Sequence, residues 1–294
     1  MGRSARQRLG QHFLIDPVVA ARIVEHLQLD AARDVVVEVG AGKGALTEWL
    51  APRCAQLIAV ELDYRLATDL AEKFRNLPNV RVICGDFLRQ DLTEWAGPER
   101  RLRVVGNIPY SLTSAIILRL LEPQHRQVLY DAVLTIQQEV AQRVVAERGT
   151  KSYGVLSVLC QVLSDPQVLF GIPPRAFRPQ PSVSSAVVRW SQFRPESALG
   201  VEEGLFRRLV RSAFGQRRKM LRNGLLWLGS DRLARLTAKG WDLSSRPEDL
   251  SPSEWLQLSR DVQQLLRSEE AGELSGSSVD WACEVEAGKA HGPV

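Results

Sequence analysis

Between residues 35 and 136 the apolar positions alternate between two habits: short β-branched runs, and longer stretches with helical period. The runs at 35–39, 57–62, 80–84, 102–105 and 132–136 read as strands. The segments at 45–50, 65–75, 114–121 and 139–148 read as helices. Such alternation predicts an α/β fold, a mainly parallel sheet with helices on both faces. Ahead of it, Asp16-Pro17 forms a helix start, an N-cap followed by proline at the first helical position. The stripe Val19, Ile23, Leu27 carries that helix to about residue 29. Two more strands, 168–171 and 186–190, flank a stiff loop of up to 14 residues holding Pro173, Pro174, Pro179 and Pro181.

From Val201 the pattern turns helical, at 202–213, 219–228, 231–239 and 252–266. The expected organisation is a sheet domain over 1–198 and a small helical domain over 199–267. An acidic tail over 268–294, rich in Glu, Gly and Ser, is expected to lack fixed structure.

Composition narrows the function class. The 294 residues are 45% hydrophobic and 24% charged, as in ordinary globular proteins. No apolar run approaches the ~20 residues of a membrane span. Arg3, Arg6 and Arg8 precede no apolar segment, so no secretory signal is expected and the cytoplasm is the default location. The cysteines Cys54, Cys84, Cys160 and Cys283 are scattered, with neither the spacing of a metal site nor that of a disulfide framework. The net charge of +4 conceals an asymmetry: residues 269–294 hold six acids and one base, leaving 37 bases against 28 acids on the remainder. Thirty-two of the 38 bases are arginine, which pairs with phosphate and stacks on bases, so a polyanionic partner is favoured.

Candidate chemistry sits at successive strand ends. The first strand runs into Gly40-Ala41-Gly42-Lys43-Gly44, a turn that lets a ligand lie against bare backbone at a helix start. Glu61 ends the second strand, where a carboxylate can accept from two ribose hydroxyls. Asp86 ends the third and can accept from an adenine amino group. The fourth exits into Asn107-Ile108-Pro109-Tyr110. Asn107 offers a carbonyl acceptor, Tyr110 a flat face, and Pro109 a stiff turn without an N–H. A glycine turn followed by an acid also describes nicotinamide oxidoreductases. The full series Gly40/Gly42, Glu61, Asp86, Asn107 fits a ligand with adenine, ribose and a reactive arm, which is S-adenosylmethionine. Arg207, Arg211, Arg218 and Arg222 fall in a narrow sector at helical spacing and are candidates for gripping RNA.

In these and further motifs the chain resembles the small-subunit ribosomal RNA adenine N6-dimethyltransferases (the KsgA type). The matching segments include Leu9-Gly10-Gln11-His12-Phe13-Leu14, Glu38-Val39-Gly40-Ala41-Gly42-Lys43-Gly44, Gly85-Asp86-Phe87 and Asn107-Ile108-Pro109-Tyr110. They continue with Pro173-Pro174-Arg175-Ala176-Phe177-Arg178-Pro179 and Phe214-Gly215-Gln216-Arg217-Arg218-Lys219. The resemblance spans about residues 8 to 260. It implies a Rossmann-like class I methyltransferase that dimethylates two adjacent adenosines near the 3′ end of 16S rRNA, acting as a monomer on a pre-30S particle. It implies that His12, Leu14, Gly40, Glu61, Asp86 and Asn107 contact S-adenosylmethionine, with Gly42 in the same turn. Asn107, Pro109 and Tyr110 would hold the target adenine and Phe177 would close on its other face. Arg217 and Lys219 join the RNA candidates. No metal is implied. Two positions depart from the family pattern: His12 stands where asparagine is usual, and Ile108 where leucine is usual.

Three rival readings remain. One is a 23S rRNA adenine methylase of the macrolide-resistance type, against which the Arg217-Arg218-Lys219 segment weighs. Another is an RNA-binding assembly or transcription factor of the same fold, against which the intact Asn107–Tyr110 loop weighs. The third is the nicotinamide oxidoreductase.

Overall fold

The computed structural model describes residues 11–97 and 99–276. The N-terminal arginines, the Leu9-Gly10 pair, Cys283 and the tail past 276 lie outside the described residues. The strands are β1 (Phe13–Leu14), β2 (Asp34–Val39), β3 (Gln56–Glu61), β4 (Val80–Cys84), β5 (Arg101–Asn107), β6 (Leu129–Gln137), β7 (Asp165–Ile172), β8 (Phe177–Arg178) and β9 (Ser185–Ser191). The helices are α1 (Pro17–Leu27), α2 (Thr47–Leu50), α3 (Tyr64–Lys73), α4 (Thr113–Leu120), α5 (Pro123–Val128), α6 (Gln138–Val144) and α7 (Val155–Leu163). They continue with α8 (Glu203–Gly215), α9 (Leu221–Gly224), α10 (Ser230–Ala238) and α11 (Pro252–Gly276).

Seven strands form one sheet in the order β4-β3-β2-β5-β6-β9-β7, while β1 and β8 pair in a separate antiparallel ladder. The first five in that order are parallel, and β9 runs antiparallel to both its neighbours. Strand parity sorts the core. Val35, Val37 and Val39 pack on the α4 side with Ile116, Ile117 and Leu120. Val36 packs on the other side with Ile23, Leu27 and Leu50 of α1 and α2. Asp16 caps α1 as expected, its carboxylate accepting from the N–H groups of Val18 and Val19.

From β2 the chain steps outward to β3 and β4, then returns to the other side of β2 at β5. The order therefore reverses between β2 and β5, and a crevice opens at their carboxyl ends. The glycine turn and the Asn107 loop leave the sheet there.

The helical region is not a separate ball. Phe206, Leu209, Trp255 and Leu258 belong to the same apolar cluster as Val104 and Leu159. The buried Arg126 of α5 ties the two parts together, donating to Glu203 of α8 at 2.5 and 3.0 Å and to the Arg194 carbonyl at 2.8 Å. Helix α7 lies in the middle of this packing and was not among the expected elements. Its short, mostly apolar run Val155-Leu156-Ser157-Val158-Leu159-Cys160, with a third valine at 162, reads as a buried strand as readily as a helix. The basic face over 207–222 is split between two helices, as the separate helical segments at 202–213 and 219–228 imply: α8 ends at Gly215, Arg218 and Lys219 lie in the connection, and Arg222 sits on α9. One further expectation is corrected. Helix α11 runs on to Gly276 instead of ending near 267. Glu269 is held there by Arg232 at 2.6 Å and Arg235 at 2.9 Å.

At the end of the sheet away from the crevice, buried charges link four strands. Arg103 of β5 pairs with Asp131 of β6 at 2.6 Å and with Asp34 of β2 at 3.0 Å. Arg189 of β9 reaches Asp131 at 2.8 Å, and Arg101 reaches Asp34 at 2.9 Å. The side chains of Asp34 and Asp131 have no solvent exposure. Removing the central guanidinium leaves two buried carboxylates short of partners. Arg103→Met is expected to lower the unfolding free energy by about 3–5 kcal/mol, read by urea denaturation. A loss under ~1 kcal/mol would mean that the network does not hold the strands together.

Candidate active site

Two adjoining hollows fill the crevice. One is lined by His12, Phe13, Gly42, Asn107, Ile108 and Tyr110, the other by Leu62, Gly85, Asp86, Phe87, Leu112 and Ile116. Gln11, Gly40, Glu61 and Pro109 border both. The four strand-end groups expected from sequence thus converge on one trough, in the order Asp86, Glu61, Gly40/Gly42, Asn107. Leu14 is buried and lines neither hollow; with Glu38 it borders a third, neighbouring one that shares Gly40, Gly42 and Asn107.

Glu61 is buried at the switch point. Its carboxylate accepts from the Gly42 N–H at 2.8 Å and from the Asp63 N–H at 2.9 Å. Gly42 has φ +58°, and a Cβ there would stand 3.2 Å from the Phe13 ring, so turn and carboxylate lock each other in place. A second close approach is at Gly106, where a Cβ would fall 2.5 Å from the Val39 carbonyl. That bare position lets β5 lie tight against β2 and sets how near Asn107 comes to the glycine turn. Asp86 caps its own turn by accepting from the Leu88 N–H at 3.0 Å, which fixes its carboxylate at the far end of the trough.

The Asn107 amide has a defined orientation. Its Nδ2 donates to the His12 carbonyl at 2.8 Å. A carbonyl can only accept, so the nitrogen must face His12 and Oδ1 is the atom left for a ligand. His12 contributes more than backbone. Its Nδ1 donates to the Pro179 carbonyl at 2.6 Å, and its ring lies 5.3 Å from that of Tyr110. The His12 side chain therefore belongs to the Tyr110 end of the trough. The Tyr110 hydroxyl pairs with Ser185 Oγ at 2.7 Å, and burial pushes the phenol pKa up, so the ring is anchored and neutral.

Several expected residues are placed differently. The Pro109 carbonyl already accepts from the Leu112 N–H at 3.0 Å. Phe177 is 2% exposed in the apolar cluster with Leu14, its partner across the β1–β8 ladder, and it lines neither hollow. Arg207 is committed to Glu203 at 2.7 Å and to the Leu121 carbonyl at 2.6 Å. Arg217 pairs with Glu248 at 2.6 Å. Arg211, Arg218, Lys219 and Arg222 are exposed and make no ion pair among the described residues. Gln11 carries no expected role, yet it borders both hollows. Its Oε1 is buried without a hydrogen-bond partner. The apolar wall of Leu62, Leu112 and Ile116 carried no sequence signal beyond its place after strand ends.

The donors and acceptors suit an adenosyl group attached to a charged arm. Asp86 with the apolar wall could hold a purine, and Glu61 beside the bare glycine turn could hold a diol. Beneath the turn, Glu38 is buried and accepts from Thr47 Oγ1 at 2.6 Å. Burial, with the Glu61 charge adding to it, raises its pKa from 4.5 to about 8. As pH climbs from 4.5 towards 8 the unfolded chain releases this proton and the folded chain keeps it, so stability falls across that window. Glu38→Gln keeps an acceptor for Thr47 and removes the titration. Denaturant unfolding at pH 5 and pH 8 should show wild type losing more stability than the variant. Parallel losses would mean that Glu38 is ionised in the folded protein.

Comparison with known proteins agrees with this geometry. The family profile described as ribosomal RNA adenine dimethylase matches residues 2–264. A protein of Acidobacterium capsulatum named ribosomal RNA small subunit methyltransferase A is 45% identical over 75% of this chain and 77% of its own length. One of the same name from Geobacter metallireducens is 41% identical over 90% of this chain and 98% of its own. Among solved structures, the 23S rRNA methyltransferase ErmE superposes with TM-score 0.64 at 29% identity, covering 85% of this chain and 99% of its own. A dimethyladenosine transferase from Plasmodium falciparum shares the fold with TM-score 0.70 at 22% identity, covering 89% and 98%. The crevice at the sheet's switch point, its acceptors in series and this match over most of the length together identify the chain as a member of the ribosomal RNA adenine dimethylase family.

Proposed function

We propose that this protein dimethylates the N6 amino group of two adjacent adenosines near the 3′ end of small-subunit (16S) rRNA, with S-adenosylmethionine as donor. The observation that carries the chemistry is the Asn107 amide, turned by His12 so that its oxygen faces the trough. The choice of small-subunit over 23S rRNA is supported by the names of the relatives at 45% and 41% identity. Action as a monomer on a pre-30S particle in the cytoplasm belongs to the same reading. None of the described helices is long and apolar enough to cross a membrane.

Bound S-adenosylmethionine would supply a methyl group on a positively charged sulfur, held by Glu61, Asp86 and the Gly40–Gly42 turn. The chain's own task is to make a poor nucleophile competent. An adenine amino nitrogen has its lone pair delocalised into the ring. Asn107 Oδ1 accepts one of its hydrogens. The carbonyl of Ile108 is the better candidate for the other, because that of Pro109 is occupied. Two acceptors at one nitrogen favour a tetrahedral geometry, free the lone pair and stabilise the positive charge that develops during transfer. Tyr110 offers a fixed neutral ring for the extruded base, and His12 stands beside it. No general base is required, since the methylated nitrogen is acidic and loses its proton to water. The exposed Arg175, just before β8, and Arg178, on β8 next to the Pro179 that meets His12, are suited to the neighbouring phosphates.

Asn107→Ala is expected to lower methyl transfer on the order of 10²–10³-fold, measured by mass spectrometry of dimethyladenosine in small-subunit rRNA, with the melting temperature little changed. Undiminished turnover would remove the central role assigned to this amide. The basic surface predicts a second result. Affinity for unmethylated small-subunit particles should fall steeply with added salt, and the joint Arg218→Ala, Lys219→Ala variant should show a shallower slope. A salt-independent affinity would exclude a phosphate footprint.

A further inference from the structure

A second cleft, of about 510 Å³, lies in the helical region between the Met220–Arg222 segment, α10 and the turn at 240–244. That volume falls within the roughly 300–1,000 Å³ typical of small-molecule sites. Its walls include Leu233, Ala234, Leu243 and Trp241. The lips are joined by backbone hydrogen bonds, Leu221 N–H to the Ser245 carbonyl at 2.7 Å and Arg222 N–H to the Leu243 carbonyl at 3.0 Å. Trp241 is fixed by its own indole N–H, which donates to Asp261 at 2.8 Å. The cleft is therefore formed before anything binds.

Its polar groups are mostly consumed internally. Asp242 accepts from the Ser244 N–H at 2.9 Å and from the Ser244 hydroxyl at 2.5 Å, and the Thr237 hydroxyl donates to the Leu233 carbonyl at 3.1 Å. The Arg222 guanidinium remains, exposed and without an ion pair among the described residues, next to Met220, which is 44% exposed. An apolar slot with an indole in its wall and a free guanidinium at its rim matches a flat group attached to an anion. Arg218 and Lys219 extend the same positive charge along the chain.

We propose that this cleft receives an unstacked base of the substrate RNA other than the adenine that is methylated. The base packs along Trp241 and Met220, and its phosphate meets Arg222. The assignment rests on the reading of the chain as an rRNA methyltransferase. Charge decides the occupant: the unpaired Arg222, with Arg218 and Lys219 next to it in the chain, suits a polyanion, and aromatic stacking accepts any base. The cleft would act as a second anchor that registers the RNA, while the trough at β5 performs the transfer.

The test uses the full-length protein, with small-subunit particles lacking the dimethyl mark as probe. Trp241→Ala removes the stacking wall. Ala234→Trp plugs the cleft from the exposed face of α10 without deleting a native contact, so misfolding of the first variant does not spoil the result. Both should weaken particle binding by roughly tenfold or more. S-adenosylmethionine affinity, read by calorimetry, should stay at the wild-type value. Ultraviolet cross-linking of wild type should attach a nucleotide to the peptide carrying Trp241. Wild-type particle binding by Ala234→Trp, or cross-links from that peptide only to a ribosomal protein, would overturn the proposal. The outcomes separate from those of the catalytic reading. Weakened binding in these variants with full activity in Asn107→Ala would sink the catalytic reading alone, and the reverse pattern would sink the cleft.

Discussion

One hydrogen bond decides what the trough can do. The Asn107 amide nitrogen is spent on the His12 carbonyl at 2.8 Å, so the group presented to a ligand is an oxygen. Were the amide reversed, the cleft would show a donor, and an adenine amine would meet a hydrogen where it needs a lone pair. The contact spans 95 residues and joins the N-terminal segment to the exit of β5. His12 is held in turn by Pro179, and β1 by β8. Three distant stretches thus combine to orient a single carboxamide.

The sheet supplies the rigidity this requires. At one end, Arg103 and its buried aspartates tie β2, β5 and β6, with Arg189 of β9 joining at Asp131. At the other end β2 and β5 deliver Glu38 and Asn107, and the neighbouring β3 delivers Glu61. The two ends treat charge differently. The structural end balances every buried carboxylate against a guanidinium. The crevice end keeps Glu38 neutral by burial, with its pKa at about 8, and satisfies Glu61 with backbone N–H groups. Anionic character at the crevice is then concentrated at Glu61 and Asp86, where hydroxyl and amine donors of an adenosyl group would arrive.

How much of this was legible in sequence depended on the range of the contacts. Glu61, Asp86 and Asn107 each follow a β-branched run, and strand ends in a parallel sheet share one edge, so their convergence could be read from spacing. The β1–β8 ladder could not, because each strand is two residues long and the partners lie more than 160 positions apart. That ladder turns Phe177 inward against Leu14 and brings His12 to Tyr110. Helix α7 was hidden because a short, mostly apolar run with three valines does not distinguish a buried helix from a buried strand. Arg207 is a different case. Glu203 stands one helical turn before it, a visible pairing signal that outweighs any exposed role. The partner of Arg217, Glu248, is 31 residues away and gave no such notice.

The account turns on which atoms meet the adenine amine. The most direct measurement is a crystal structure of the protein with S-adenosylhomocysteine and a short RNA carrying the target adenosine. N6 is expected within roughly 3 Å of Asn107 Oδ1, with the purine on Tyr110 and the thioether sulfur on the far side of the nitrogen from its ring. An amine that points away from Asn107, or a purine seated elsewhere than on Tyr110, would contradict it.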